Sequence, residues 1–476
     1  MKKFMVKPLV AALALSLPCA TFAQVDNAEL LRELLELKAK VKALEDKINA
    51  APSPAAPSAD TAAAPVADER LDQTIIDVNK TKLKVEQMET TREESGFAGI
   101  KISGYADPTY IFNQRRRTNS FVFLNNFGGS ADANGDNVYA YDNSFFGSIF
   151  LKFEKEFESG AKGVIEIMPK KGYDDANNNI INQAIFSMPL RPGLKLFAGQ
   201  VGSWQGYEYQ AATSRKNITY NLLYDYAEFT YMTGAGIEFT PPGKLSGKVM
   251  IGNPAALARN YSDRSTAIHG RLDYALNDFA GVGGTIYRGK LFGNNLTNIQ
   301  ADFYNNKGDW SFAGQLDYGH WDKAANNGGN AEWIGMSGLV GFKFTPRMEG
   351  VLRADYIKNS KNGGGMPGSV ARASLVPFDV NNDGTIDPDE GITVSNDPFS
   401  GFGPEVDPST GLLSNDSKGA NRYALTATFN YSLSSNVTLR AEYRLDGSSL
   451  RTFLNTKDGS YSKTNNLLGL QLVYFF

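Results

Sequence analysis

The 476-residue chain has one cysteine, Cys19, and two histidines, His269 and His320. Cys19 falls within residues 1–23, which read as a secretory leader. Lys2, Lys3 and Lys7 precede the apolar run 9–17, and Thr21-Phe22-Ala23 offers a cleavage site. Pro18 is a poor match to a lipoprotein processing site. A mature chain starting near Gln24 would hold no cysteine, which excludes disulfides and cysteine-ligated metals. Charge of one sign is also lacking: 48 Lys and Arg against 51 Asp and Glu leave a net charge of −3, and no basic run exceeds Arg115-Arg116-Arg117. Nucleic acid is therefore not an expected partner. Nor does any mature segment offer ~18 consecutive apolar residues, so no membrane-spanning helix is expected. Asp317 and His320 are close in sequence, but their odd separation places them on opposite faces of a strand. No catalytic constellation assembles from so few groups, and an enzyme is not expected.

What the chain has instead is alternation. In 465–476 (NNLLGLQLVYFF), Leu468, Leu470, Leu472, Tyr474 and Phe476 share one parity, and Gly469, Gln471, Val473 and Phe475 the other. About sixteen alternating segments follow Ile100. They span 100–112, 141–157, 161–170, 180–188, 194–200, 230–240, 245–252, 266–275, 279–289, 296–305, 310–320, 332–344, 348–358, 422–431, 437–446 and 465–476. Connections after even-numbered segments are short, as at 158–161, 190–193, 241–244, 276–278, 306–309, 345–347 and 432–436. Those after odd-numbered segments are generally longer, including 113–140, 201–229, 253–265 and 359–421. A soluble sandwich has no reason to alternate in this way, whereas an outer-membrane barrel with both termini inside does.

The two parities also divide by chemistry. Val437, Leu439, Ala441, Tyr443 and Leu445 oppose Thr438, Arg440, Glu442, Arg444 and Asp446. The second set needs water, which in a barrel is in the lumen. Segments 266–275 and 348–358 repeat this, with Arg271 and Asp273, and Arg353 and Asp355, on the polar side. The expected fold is all-β: a transmembrane antiparallel β-barrel of about sixteen strands over 96–476 in outer-membrane lipid, with a long external loop at 359–421.

Ahead of the barrel the period is that of a helix. Leu30, Leu34, Leu37, Val41, Leu44 and Ile48 are spaced 4, 3, 4, 3, 4, a heptad seam that predicts an α-helical coiled coil over 24–49 in the periplasm. A single amphipathic helix packed on its own chain is the other reading. Residues 50–67 carry four prolines among alanines and serines and form a linker. Leu71, Ile75, Val78 and Val85 start a second helical segment over 68–95, which Gly96 and Gly99 end.

The segment 199–208 (GQVGSWQGYE), with Asn217-Ile218-Thr219-Tyr220-Asn221, Thr233-Gly234-Ala235-Gly236 and the opening Ser103-Gly104-Tyr105-Ala106-Asp107, resembles the OmpL-like family of outer-membrane β-barrel porins. The N-terminal heptads look like those of trimeric porins with a periplasmic coiled coil. The resemblance implies a passive diffusion channel for small hydrophilic solutes and, because porin barrels of this size usually associate in threes, a homotrimer held by the coiled coil, although the a and d identities of the heptads alone lean slightly to a dimer. An adhesin or envelope spacer without an open pore is the competing reading, which heptads and an oversized loop would also suit.

Two candidate sites follow. In sixteen-stranded porins the third external connection commonly folds inward, which makes Trp204, Tyr207, Tyr209, Tyr220, Tyr224, Glu208, Arg215, Lys216 and Asp225 candidate eyelet residues, with an external loop packed on its neighbours as the alternative. Arg271, Asp273, Arg353, Asp355, Arg440, Glu442 and Arg444 are candidate pore-lining wall charges. Their cations suggest a mild preference for anions. The second site is Asp379, Asn381, Asp383, Thr385, Asp387 and Glu390, which fit a twelve-residue calcium loop with Gly384 at its turn. A solvated acidic loop is the alternative.

Two tests follow from sequence alone. Calcium titration of the refolded protein is expected to show binding at about 10⁻⁷ to 10⁻³ M that Glu390→Ala abolishes; an unchanged titration refutes the site. Deleting 24–95 is expected to leave a folded barrel with a weaker oligomer in light scattering, and an unaltered oligomer would assign the helix to another partner.

Overall fold

The computed structural model describes residues 99–124, 146–168, 180–229, 231–255, 266–368, 374–377, 391–394, 401–407 and 413–476. The leader, the heptad helix, the linker, the second helical segment and the calcium-type loop lie outside the described residues.

In chain order the strands are β1 (Ile100–Ala106), β2 (Thr109–Asn113), β3 (Thr118–Val122), β4 (Ile149–Glu156), β5 (Lys162–Ile167), β6 (Ile181–Arg191), β7 (Leu194–Gly202), β8 (Tyr231–Phe239), β9 (Leu245–Ala255), β10 (Ala267–Ala275) and β11 (Ala280–Leu291). They continue with β12 (Asn294–Lys307), β13 (Trp310–Trp321), β14 (Ala331–Thr345), β15 (Met348–Lys358), β16 (Ser374–Pro377), β17 (Gly391–Val394), β18 (Arg422–Ser434), β19 (Val437–Ser448), β20 (Phe453–Leu454), β21 (Tyr461–Ser462) and β22 (Thr464–Phe475). One short helix, α1 (Leu222–Tyr226), lies between β7 and β8. β16 pairs with β17 and β20 with β21 as small separate sheets, and all other segments share one sheet. β1 and β2 are parts of one strand, and β3 and β4 of the next, so the sheet is a closed antiparallel barrel of sixteen strands. β22 pairs with β19 on one side and with β1 and β2 on the other, which closes it. Among the described residues no helix is long and apolar enough to cross a membrane.

Parity decides which face each residue takes. Leu468, Leu470, Leu472, Tyr474 and Phe476 all point outward and are 36–51% exposed, whereas Gln471, Val473 and Phe475 point inward and are buried. The same division runs round the wall through Ile268, Ile286, Ile299, Leu316, Ile334 and Leu352, all outward and exposed. An outward face this apolar suits hydrocarbon, where backbone groups must be paired within the sheet.

The expected 113–140 loop is corrected. The chain turns over 114–117, β3 returns along β2 from Asn113↔Thr118 to Thr109↔Val122, and the second strand is divided between β3 and β4. The turn hides in an arginine run: Asn113 Oδ1 accepts from Arg116 N at 3.2 Å, and Arg117 adopts φ 52°. No Gly or Pro marks it. The fifth connection on this side is also tight, with positive φ at both Phe292 and Gly293, the signature of a two-residue hairpin turn. The short turns expected on the opposite side all occur.

At Asp107-Pro108 the first strand breaks, because proline has no N–H to give the ladder. Asp107 replaces the missing pairing with its side chain, accepting from Ser148 N at 2.6 Å and from Gln471 Nε2 at 3.0 Å.

Candidate functional site

The connection between β7 and β8 does not stay outside the barrel. Residues 203–229 enter the lumen and hydrogen-bond to the inward side chains of β10 to β19. A loop in this position has backbone groups that water does not serve, so the wall must supply partners.

Glu442 on β19 supplies the acceptor. Its carboxylate receives Ile218 N at 2.6 Å, Thr219 N at 3.0 Å, Thr219 Oγ1 at 2.6 Å and Thr428 Oγ1 at 2.8 Å. Three arginines supply donors. Arg353 donates to Thr219 O at 2.7 Å and Tyr220 O at 2.8 Å, Arg444 to Tyr220 O at 2.7 Å, and Arg440 to Arg215 O at 2.8 Å. Charge-assisted bonds of this kind each contribute about 1.5–3 kcal/mol when buried. Arg353, Arg440, Glu442 and Arg444, read from the sequence as charges on the pore wall, are therefore buried beneath the loop and committed to its backbone.

The remaining predicted residues fall into the same docked layer. Arg215 is 3% exposed, donates to Ile218 O at 2.7 Å and lies 3.9 Å over the Tyr220 ring. Lys216 pairs with Glu349. Glu208 meets Arg353 at 3.3 Å and accepts from Asn221 N at 3.1 Å. Burial pushes the Glu208 carboxyl above its ordinary range, with Arg353 and Arg215 pulling it back. Tyr207 shares a hydrogen bond of 2.6 Å with Ser337, which donates in turn to Asp355, also at 2.6 Å.

Asn221 caps α1, its side chain accepting from Tyr224 N at 2.7 Å, and Leu222, Leu223 and Tyr226 bury on the wall. Gly335 makes room for them, since a Cβ there would stand 2.2 Å from Leu223 Cδ2. Gly206, at φ 65°, likewise passes close to Gln315, which donates to Glu228 at 2.6 Å. Burial holds that carboxyl well above its usual range.

Trp204, Arg271 and Asp273 lie at the loop's other margin. Arg271 donates to Trp204 O at 2.7 Å, grips Asp302 at 2.8 and 2.9 Å, and meets Asp273 at 2.9 Å. Trp204 stacks on His269 at 4.9 Å, with Lys248 Nζ 4.4 Å from its ring. Here water reaches the interior: Tyr209, on the loop, is 48% exposed, and the Asp273 side chain 39%. One inward rung crosses four adjacent strands as Lys195, Glu238, Lys248 and Arg271. Among the described residues Lys195 and Lys248 have no ion pair.

Lys195, Glu238, Lys248, Asp302 and Glu349 were missed from sequence. Strict alternation was the available signal, since Asn298, Gln300 and Asp302 face inward between the outward Ile299, Ala301 and Phe303. Asp317 and His320 are separated as expected. Asp317 is inward, accepting from Asn298 at 2.8 Å, while His320 sits between Asp322 at 3.1 Å and Glu332 at 3.2 Å on the outer face.

Replacing Glu442 by Ala leaves four donors without their acceptor and is expected to cost the docked loop about 3 kcal/mol. Trypsin cleavage after Arg215 or Lys216 in the folded barrel, with heat-modifiable migration retained, is the readout; continued protection contradicts the latch.

Three solved structures overlay on the chain, each across 79% of its length. OmpT, an outer membrane protein of Vibrio cholerae, and the outer membrane channel DcaP of Acinetobacter baumannii are both 11% identical, are covered over 97% of their own chains and give a TM-score of 0.46. An anion-selective porin from Comamonas acidovorans is 10% identical, covered over 99%, with a TM-score of 0.45. A search of curated protein sequences returned no match. One family model covers residues 1–267 and 277–476. The chain belongs to that family, described as a protein of unknown function (DUF3138).

Proposed function

We propose that the protein is an outer-membrane porin, a passive channel for small hydrophilic solutes with a mild preference for anions. The observation that carries this reading is the inward loop. It is docked by buried charges on one side of the lumen, and its other margin leaves Tyr209 and Asp273 exposed to water. A closed structural barrel has no use for such a margin, whereas a diffusion channel uses it to set the size of what passes.

The sign of the preference rests on the open wall rather than on the buried arginines. Across one rung, Lys195 and Lys248 are two cations with no ion pair among the described residues, beside the carboxylate Glu238, while Arg271 is compensated by Asp273 and Asp302. The finer parts of the reading stand on sequence: the OmpL-like motifs at 199–208 and 217–221, a trimer held by the periplasmic heptads, and calcium at the 379–390 loop. The long connections face outward from the cell and the two termini face the periplasm.

Planar-bilayer recording tests both parts. Wild-type protein is expected to open steady channels whose reversal potential in a salt gradient has the sign for anions, and Lys195→Glu with Lys248→Glu is expected to reverse that sign. A bilayer that stays closed at all voltages overturns the channel. Cation preference in the wild type keeps the channel and discards the role of the two lysines.

A further inference from the structure

Near the rim that carries the long connections, the outward face changes chemistry in one step. Ile286, Ile299, Tyr318 and Ile334 form a rung across β11 to β14 and are 43–54% exposed. Two residues closer to the rim the rung reads Arg288, Thr297, His320 and Glu332, and beyond it Lys290 pairs in register with Asn295. Arg288, Lys290, Asn295, Thr297 and His320 border a hollow of about 750 Å³ that Asp322 also lines.

The carboxylates there are already engaged. Asp322 accepts from Asn295 Nδ2 at 3.0 Å and lies 3.1 Å from His320 Nε2, and Glu332 accepts from Lys361 Nζ at 2.6 Å and lies 3.2 Å from His320 Nδ1. Arg288 and Lys290 are not. Both are exposed, and among the described residues neither has an ion pair or a side-chain hydrogen bond. Two uncompensated cations directly above a lipid-facing apolar band are costly at a hydrocarbon boundary, unless an anion of the membrane itself meets them.

We propose that this hollow binds a phosphorylated lipid of the outer leaflet. The planar guanidinium of Arg288 and the ammonium of Lys290 hold the phosphate, the Thr297 hydroxyl lies beside them, and the acyl chains lie along Ile286, Ile299 and Tyr318. The inference rests on the outer-membrane reading, which sets this rim in the outer leaflet.

The test is native mass spectrometry of the full-length protein in detergent, titrated with bisphosphorylated lipid A and with the same lipid fully dephosphorylated. Arg288→Ala with Lys290→Ala is expected to weaken retention of the phosphorylated lipid about 30-fold, the effect of two interfacial cations. Lys307→Ala, outward at the opposite end of β12, leaves it unchanged. Dephosphorylating the lipid is expected to weaken wild-type binding comparably, a result that does not depend on how the variant folds. Equal binding by the double variant, or equal binding of the dephosphorylated lipid, overturns the proposal. So does displacement of the lipid by millimolar inorganic phosphate, which would assign the cations to a free ion. Conductance reports on the channel and lipid retention on this site, so either reading can fail alone.

Discussion

The carboxylate of Glu442 is the contact on which the interior depends. A segment folded into a barrel faces the difficulty of any buried loop, namely peptide groups cut off from water. Glu442 takes two loop amides, and Arg353, Arg440 and Arg444 fill the loop's carbonyls. The charges balance as well as bond: Arg353 stands against Glu208 and Asp355, and Arg444 against Asp446. The wall's strongest charges are thus spent internally, and the field across the remaining space falls to the less conspicuous residues Lys195, Glu238, Lys248 and Asp273.

Outside, the same strands answer to a different solvent. Through the apolar band they place aliphatic and aromatic residues outward, as at Ile286, Ile299, Leu316 and Leu352, between polar ones that face in. The change from Ile286 to Arg288 on one strand therefore marks where hydrocarbon gives way to charge. The arginines beneath the inward loop are neutralised internally, whereas Arg288 and Lys290 have no ion pair among the described residues.

Alternation made the barrel legible because a period of two survives any uncertainty about where a strand begins. Turn length marked where the strands end, since all the short links expected on one side of the barrel occur. The tight turn at 114–117 was illegible since Asn113 and Arg117 make it without glycine or proline. The site was half legible. Parity named Arg353, Arg440, Glu442 and Arg444 as inward, but not that a loop more than 120 positions away in the chain would cover them. Lys195 and Lys248 carried no motif, and their importance appears only once the register places them on one rung.

The break at Asp107-Pro108 divides the closing ladder into two short runs, Tyr105↔Phe475 with Ala106↔Tyr474, and Thr109↔Gln471 to Asn113↔Leu467. By contrast, β12 and β13 pair without interruption from Leu296↔Trp321 to Lys307↔Trp310. In kinetic terms the barrel has a built-in order. The central strands can zip as a continuous meander of local hairpins, while the seam joins the two ends of the sequence and bears the greatest loop-closure entropy. The Asp107 carboxylate, bridging Ser148 to Gln471, is the stitch that holds the seam where proline cannot.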